Sequence, residues 1–216
     1  VSLTGAVALG ADITINTSAG NGAVTLSSTL NNARNLDISS GSGAVAIQGV
    51  TGGTPALTTL DINNAAGNGT IEVANIGAGA AGVTGVTRIG NAATATLTLD
   101  GTTYNANAAT YTAAAGNNIS LSAGADVTFT SSTDAITFGT ANILLGNGSD
   151  LVVTSGAGAG DIPLVAITGN TVEDVTLNAG AGNVGVGVIG AAAAQINAVT
   201  ITGATIALGG NSNTRS

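Results

Sequence analysis

Leu36-Asp-Ile38-Ser-Ser-Gly41-Ser-Gly43-Ala-Val45-Ala-Ile47 is answered 24 residues later by Leu60-Asp-Ile62-Asn-Asn-Ala-Ala-Gly67-Asn-Gly69-Thr-Ile71-Glu-Val73. Each stretch reads as apolar-x-apolar, a small polar turn with Gly-x-Gly, then a second apolar-x-apolar. A period of two marks a strand with one buried face. The glycines and asparagines between the pairs supply the sharp corners. The same grammar runs along the chain. First members of the leading pair fall at Ile13, Leu36, Leu60, Val86, Ile119, Leu151, Val175 and Val199, in steps of 23, 24, 26, 33, 32, 24 and 24. A third apolar position follows the second pair at Val50, Ile76, Ile167 and Ile189.

Repetition of one short unit is the signature of a solenoid. The expected fold is all-β: a right-handed parallel β-helix (β-solenoid) of about 24 residues per coil and roughly eight to nine coils. Strands in such a ladder lie about 4.7–4.9 Å apart, so equivalent residues stack directly. Leu36 is placed on Leu60, and Val175 on Val199. Parallel crossovers in one sense predict the right hand. The strands are too short for a membrane barrel, and a sandwich would not keep the register.

Composition agrees. Of 216 residues, 44% are hydrophobic but only two are Tyr and two Phe, with no Trp, Met, Cys or His. The core is therefore thin and aliphatic. The net charge of −8, with three Arg and no Lys, argues against nucleic acid, which requires a basic stripe. It argues equally against an anionic membrane surface. No stretch is long and apolar enough to span a bilayer. The absence of Cys fits a secreted bacterial surface protein and excludes thiolate metal sites. The chain opens at Val1 without a signal-peptide pattern, which reads as a processed or excised segment.

Val50-Thr-Gly-Gly-Thr-Pro-Ala-Leu57-Thr-Thr-Leu60-Asp-Ile62 resembles the linker and strand of large secreted bacterial β-strand-repeat exoproteins. These are similar to the repeat region of filamentous-haemagglutinin-type adhesins. Leu36 to Gly49 fits the same pattern. The resemblance implies a secreted, cell-surface or extracellular fibre used in adhesion or biofilm.

The whole chain, 1–216, reads as one solenoid, with two enlarged coils carrying inserted loops at 90–146. All four aromatics fall there: Tyr104, Tyr111, Phe129 and Phe138. Two roles are open to them. They plug a wider core, or Tyr104, Asn105 and Tyr111 form an exposed patch that contacts a glycan or protein. Arg88 occupies a position that is inward in neighbouring coils. Either it pairs with a carboxylate or, as expected here, the strand bulges so that Ile89 faces inward.

Other chemistry is only hinted at. Asp37 and Asp61 share a slot in adjacent coils and should face outward together. Paired carboxylates serve glycosidases or calcium sites, but solvated surface acids are the expected role, since the equivalent positions in other coils are Thr87, Thr176 and Thr200 and the acid row stops at two. Gly146-Asn-Gly148-Ser-Asp150 resembles part of a calcium-binding nonapeptide repeat. One copy is not a stacked site, so no metal or cofactor is assigned and calcium stays the minor alternative. Without His or Cys, His-assisted nucleophilic catalysis is excluded, and no catalytic residue is assigned; the chain is read as a non-enzyme. Ice binding needs a regular Thr-x-Thr array, and Thr128/Thr130 and Thr200/Thr202 read as isolated copies. The leading expectation is a rod or filament segment of a surface protein. Its partners are itself, stacked head-to-tail, or further repeats of the same chain.

Overall fold

The computed structural model describes residues 1–78, 82–191 and 195–214, and among them there is no helix. The chain winds into a parallel β-solenoid of about eight turns. It passes over three faces in cyclic order. The first face is a six-stranded sheet from Ile13–Asn16, Asn35–Ser39 and Thr59–Ile62 through Thr87–Ile89 and Ala109–Thr112 to Ile136–Gly139. The second is carried by a ten-stranded sheet that begins at Ser2–Leu3, runs through Val24–Leu26, Val45–Ile47 and Asn142–Leu145, and ends at Thr205–Leu208. The third is the five-stranded sheet of Thr103–Asn105, Val127–Thr130, Leu151–Thr154, Asp174–Asn178 and Ala198–Thr202. Upstream, the third face is held by the short pair Val7–Ala8 with Leu30–Asn31 and by single bridges from Leu30 through Thr51 and Ile76 to Tyr104.

The expected stacks are present. Leu36 pairs with Leu60, Ile38 with Ile62, Val175 with Val199 and Leu177 with Ile201. Inward residues of all three faces form one continuous buried column. Such a core works with small branched side chains because each residue packs mainly on its equivalents one coil above and below.

The expectation of two enlarged coils at 90–146 is corrected by the register. On the first face, Thr87 pairs with Ala109 and Ala109 with Ile136, steps of 22 and 27 residues. On the second, Leu97 pairs with Ile119 and Ile119 with Ile143, steps of 22 and 24. The apparent steps of 33 and 32 compared different faces. Ile119 lies on the second face, and Leu151, Val175 and Val199 lie on the third.

The physical reason is that the wide, glycine-rich corner migrates along the axis. Early in the chain it joins the first face to the second, as between Ile13–Asn16 and Val24–Leu26. Later that corner shrinks to the residues between Ile136–Gly139 and Asn142–Leu145. It then disappears into the single strands Ile162–Thr168 and Asn183–Ile189. Their first halves continue the first face and their second halves the second, since Ile136 N donates to Asp161 O at 3.0 Å and Ile143 pairs with Ile167. Wide turns now sit before and after the third face. A pair recognised by its glycine-rich neighbour follows the corner, not the face.

Ile89 faces inward, as expected: Thr87 and Ile89 lie opposite Leu60 and Ile62, while Arg88 faces outward opposite Asp61. One extra residue stands between the pairs Leu57–Val83 and Leu60–Thr87. The extra length is taken up before the strand, where Gly85 N donates to Thr58 O at 2.9 Å.

Inward hydroxyls close the wide corners. Ser40 Oγ donates to Gly43 O at 2.7 Å, Ser131 Oγ to Asp134 O at 2.7 Å, and Ser155 Oγ to Gly160 O at 2.5 Å. Each of these serines is buried. A buried hydroxyl must find a partner, and the free carbonyl at the far end of the turn needs a donor. One contact satisfies both.

Candidate functional site

The aromatic residues form an internal block rather than a surface. Tyr104 and Phe129 are successive residues on the third face, with rings stacked at 4.8 Å. Tyr111 and Phe138 are successive residues on the first face, stacked at 5.5 Å. The two stacks meet edge to face, with Tyr111–Phe129 at 5.2 Å and Phe129–Phe138 at 5.0 Å. Tyr104 is 1% exposed and Tyr111 0%. The proposed Tyr104–Asn105–Tyr111 contact patch is thereby overturned: both rings point into the core. Asn105 alone is half-buried on the outer side, paired with Thr130.

The two hydroxyls differ. Tyr104 Oη donates to Val73 O at 2.8 Å and accepts from Gly101 N at 2.9 Å. Tyr111 Oη is buried with no hydrogen-bond partner. Burial pushes both phenols well above the ordinary tyrosine value. No reaction involving either hydroxyl is open to a dissolved substrate.

Asp37 and Asp61 do sit opposite one another on the outer side of the first face. The row continues not in Thr87 but in Arg88, whose Nε lies 3.2 Å from Asp61 Oδ1. Thr176 and Thr200 belong to another face. Burial raises the Asp61 carboxyl, Arg88 opposes that and Asp37 adds to it. Two acids neutralised in part by one guanidinium form a surface charge cluster.

Several other acids hold backbone. The Asp12 carboxylate accepts from Asn35 N, Asp150 from Asp174 N, Asp161 from Asn183 N and Asp174 from Ala198 N, at 2.7–3.0 Å. Each acceptor serves a donor one coil further on. Glu173 is fully buried and accepts from Thr171 N and Thr171 Oγ1, both at 2.6 Å, and from Asn170 N at 3.2 Å. The turn Gly146 to Asp150 adopts left-handed backbone at Asn147 and Gly148, and its aspartate points at the next coil's N–H. Among the described residues no three acids gather as a metal-binding group.

Two surfaces remain. The first is axial. At the start of the chain, a cavity of about 230 Å³ opens between Leu3, Val7, Leu9, Ile13, Ile15 and Leu26. At the other end Ile206 and Leu208 are 45% and 54% exposed.

The second surface is the outer side of the third face, where two straight rows run across all five strands. One row is Thr103, Thr128, Val152, Thr176 and Thr200; the other is Asn105, Thr130, Thr154, Asn178 and Thr202. Thr128/Thr130 and Thr200/Thr202, read from sequence as isolated, are two levels of one array. The signal was present in the 24-residue step from Thr128 to Val152, Thr176 and Thr200. Comparisons with protein-family models, with curated proteins and with solved structures find no match to this chain.

Proposed function

We propose that this chain is a stiff rod segment of a secreted or cell-surface structural or adhesive protein. Its open ends join axially to further coils, supplied by the same chain or by a second copy. The observation that carries this reading is the pair of uncovered ends: aliphatic residues from inward positions of the end coils, Leu3, Ile13, Ile206 and Leu208, stand 38–54% exposed. Terminal repeats need a polar outer side to be soluble alone, and bare parallel strand edges are templates for pairing. A coil laid on either end would bury these residues and extend the three ladders.

The rod has no catalytic role in this reading. Its work is mechanical: eight ladder spacings give a length of roughly 40 Å, and hydrogen bonds along the axis resist bending and proteolysis. Extracellular placement rests on the resemblance to secreted repeat exoproteins and on the cysteine-free composition. Electron microscopy of the purified chain tests self-stacking. Particles of constant width that lengthen with concentration support it; monodisperse short rods at every concentration refute it.

A further inference from the structure

We infer that the outer side of the third face is an ice-binding surface, a function independent of whether the rod stacks end to end. The argument begins with the array. Of its ten side chains, seven are threonine, two asparagine and one valine. None carries charge and none is aromatic. No insertion interrupts it from Val127–Thr130 to Ala198–Thr202, where every step is 24 residues.

The ladder sets a repeat of about 4.7–4.9 Å across strands and about 6.6 Å between alternate residues along each strand. The array is thus periodic in two directions. A dissolved molecule has no use for such a repeat, whereas a crystal face does, and the across-strand spacing is close to the shorter oxygen repeat on the prism faces of hexagonal ice.

The side chains suit that ligand. Among the described residues, the seven threonine hydroxyls make no hydrogen bond within the protein. Threonines at corners do, as Thr140 Oγ1 donates to Ala113 O at 2.6 Å. The array hydroxyls are therefore free for water. Each threonine is β-branched and stiff at χ1, and those on the three inner strands have row neighbours on both sides, so little rotamer freedom is lost when the hydroxyls lock to a lattice. Each also offers a methyl group beside its hydroxyl, which orders the water between rows.

Competing ligands fit less well. A glycan-binding strip presents aromatic rings, and all four rings of this chain are buried. An anionic partner needs cations, and the third sheet has none. Asp126, Asp150 and Asp174 border the array on one side. Two of these, Asp150 and Asp174, are held by backbone N–H groups of the next coil, so this edge is a rim and not part of the lattice.

The test is partition into ice grown slowly from a dilute solution of the chain. Thr154→Lys and Thr130→Lys interrupt the array; Thr110→Lys, outward on the first face, is the control. Far-ultraviolet circular dichroism confirms that each variant keeps its strands. Should Thr154→Lys lose them, Thr202→Lys at the exposed last level takes its place. The expected result is enrichment of the parent and of Thr110→Lys in the ice, with loss of enrichment in the array variants. Exclusion of the parent from ice overturns the proposal, including the case in which it sediments with crystalline cellulose instead. So does equal loss in Thr110→Lys.

Discussion

Removing one oxygen atom from each tyrosine should change stability in opposite directions. In Tyr111→Phe the lost hydroxyl is buried without a partner. Its desolvation is uncompensated, and a buried polar group in that state costs about 1–3 kcal/mol. The phenylalanine keeps the ring and its stack on Phe138, so the variant should gain about 1 kcal/mol. In Tyr104→Phe the hydroxyl bridges two backbone groups. Val73 O keeps a second donor, Asp100 N at 3.3 Å, whereas Gly101 N has no other partner. One buried N–H is orphaned, at about 1–3 kcal/mol. For a chain of this length each kcal/mol moves the melting temperature by about 2–4 °C. Urea and thermal melts followed by circular dichroism should place Tyr111→Phe above the parent and Tyr104→Phe below it. Equal losses in the two variants would refute the reasoning, because they would mean that Tyr111 Oη has a partner.

Two further outcomes follow from the same geometry. Both tyrosines are buried and hold their protons beyond the ordinary value of 10.0. The unfolded chain releases those protons first, so stability is full below about pH 10 and falls as pH rises above it; ultraviolet absorbance should show no phenolate until circular dichroism shows loss of strands, and phenolate appearing in the folded chain near pH 10 would contradict the burial. Gly156→Ala should be far more damaging than Gly116→Ala in urea melts: both glycines have left-handed backbone, which costs an alanine roughly 1–2 kcal/mol, but a methyl at Gly156 would lie 1.8 Å from Ser132 O, whereas the space at Gly116 is open. Similar losses in the two would refute the close approach of neighbouring coils at that corner.

The fold was legible because its information is local and repeated. Leu36-Asp-Ile38 and Leu60-Asp-Ile62 declare a strand, an inward pair and a coil length together, and Leu36 does pair with Leu60. What escaped was the assignment of strands to faces. The pattern Gly-x-Gly beside a strand names a corner, and the corner moves from one edge of the cross-section to another. Taken by its corner, Ile119 follows Val86, two coils look swollen, and Thr128/Thr130 stand apart from the threonines stacked on them. Arg88 has a related reason: the inward pair of its strand is Thr87 and Ile89, not Val86 and Arg88. The destination of the tyrosines was not legible: a solenoid strand alternates in and out, and only the level of Tyr104 on Phe129 and of Tyr111 on Phe138 shows that all four rings converge.

The aromatic block divides this otherwise uniform molecule along its length. In a one-dimensional chain of coupled units, each coil is held only by its neighbours, and opening begins where that coupling is weakest. The end coils are exposed and aliphatic, while the middle carries four interlocked rings. Where no further coil is laid on an end, denaturation is thus a fraying process: that end peels inward, and the front halts at the central bulkhead. The last structure to survive is a short plug two coils deep, so a rod that has lost its ends to heat or protease keeps a seed from which either arm can be rewound.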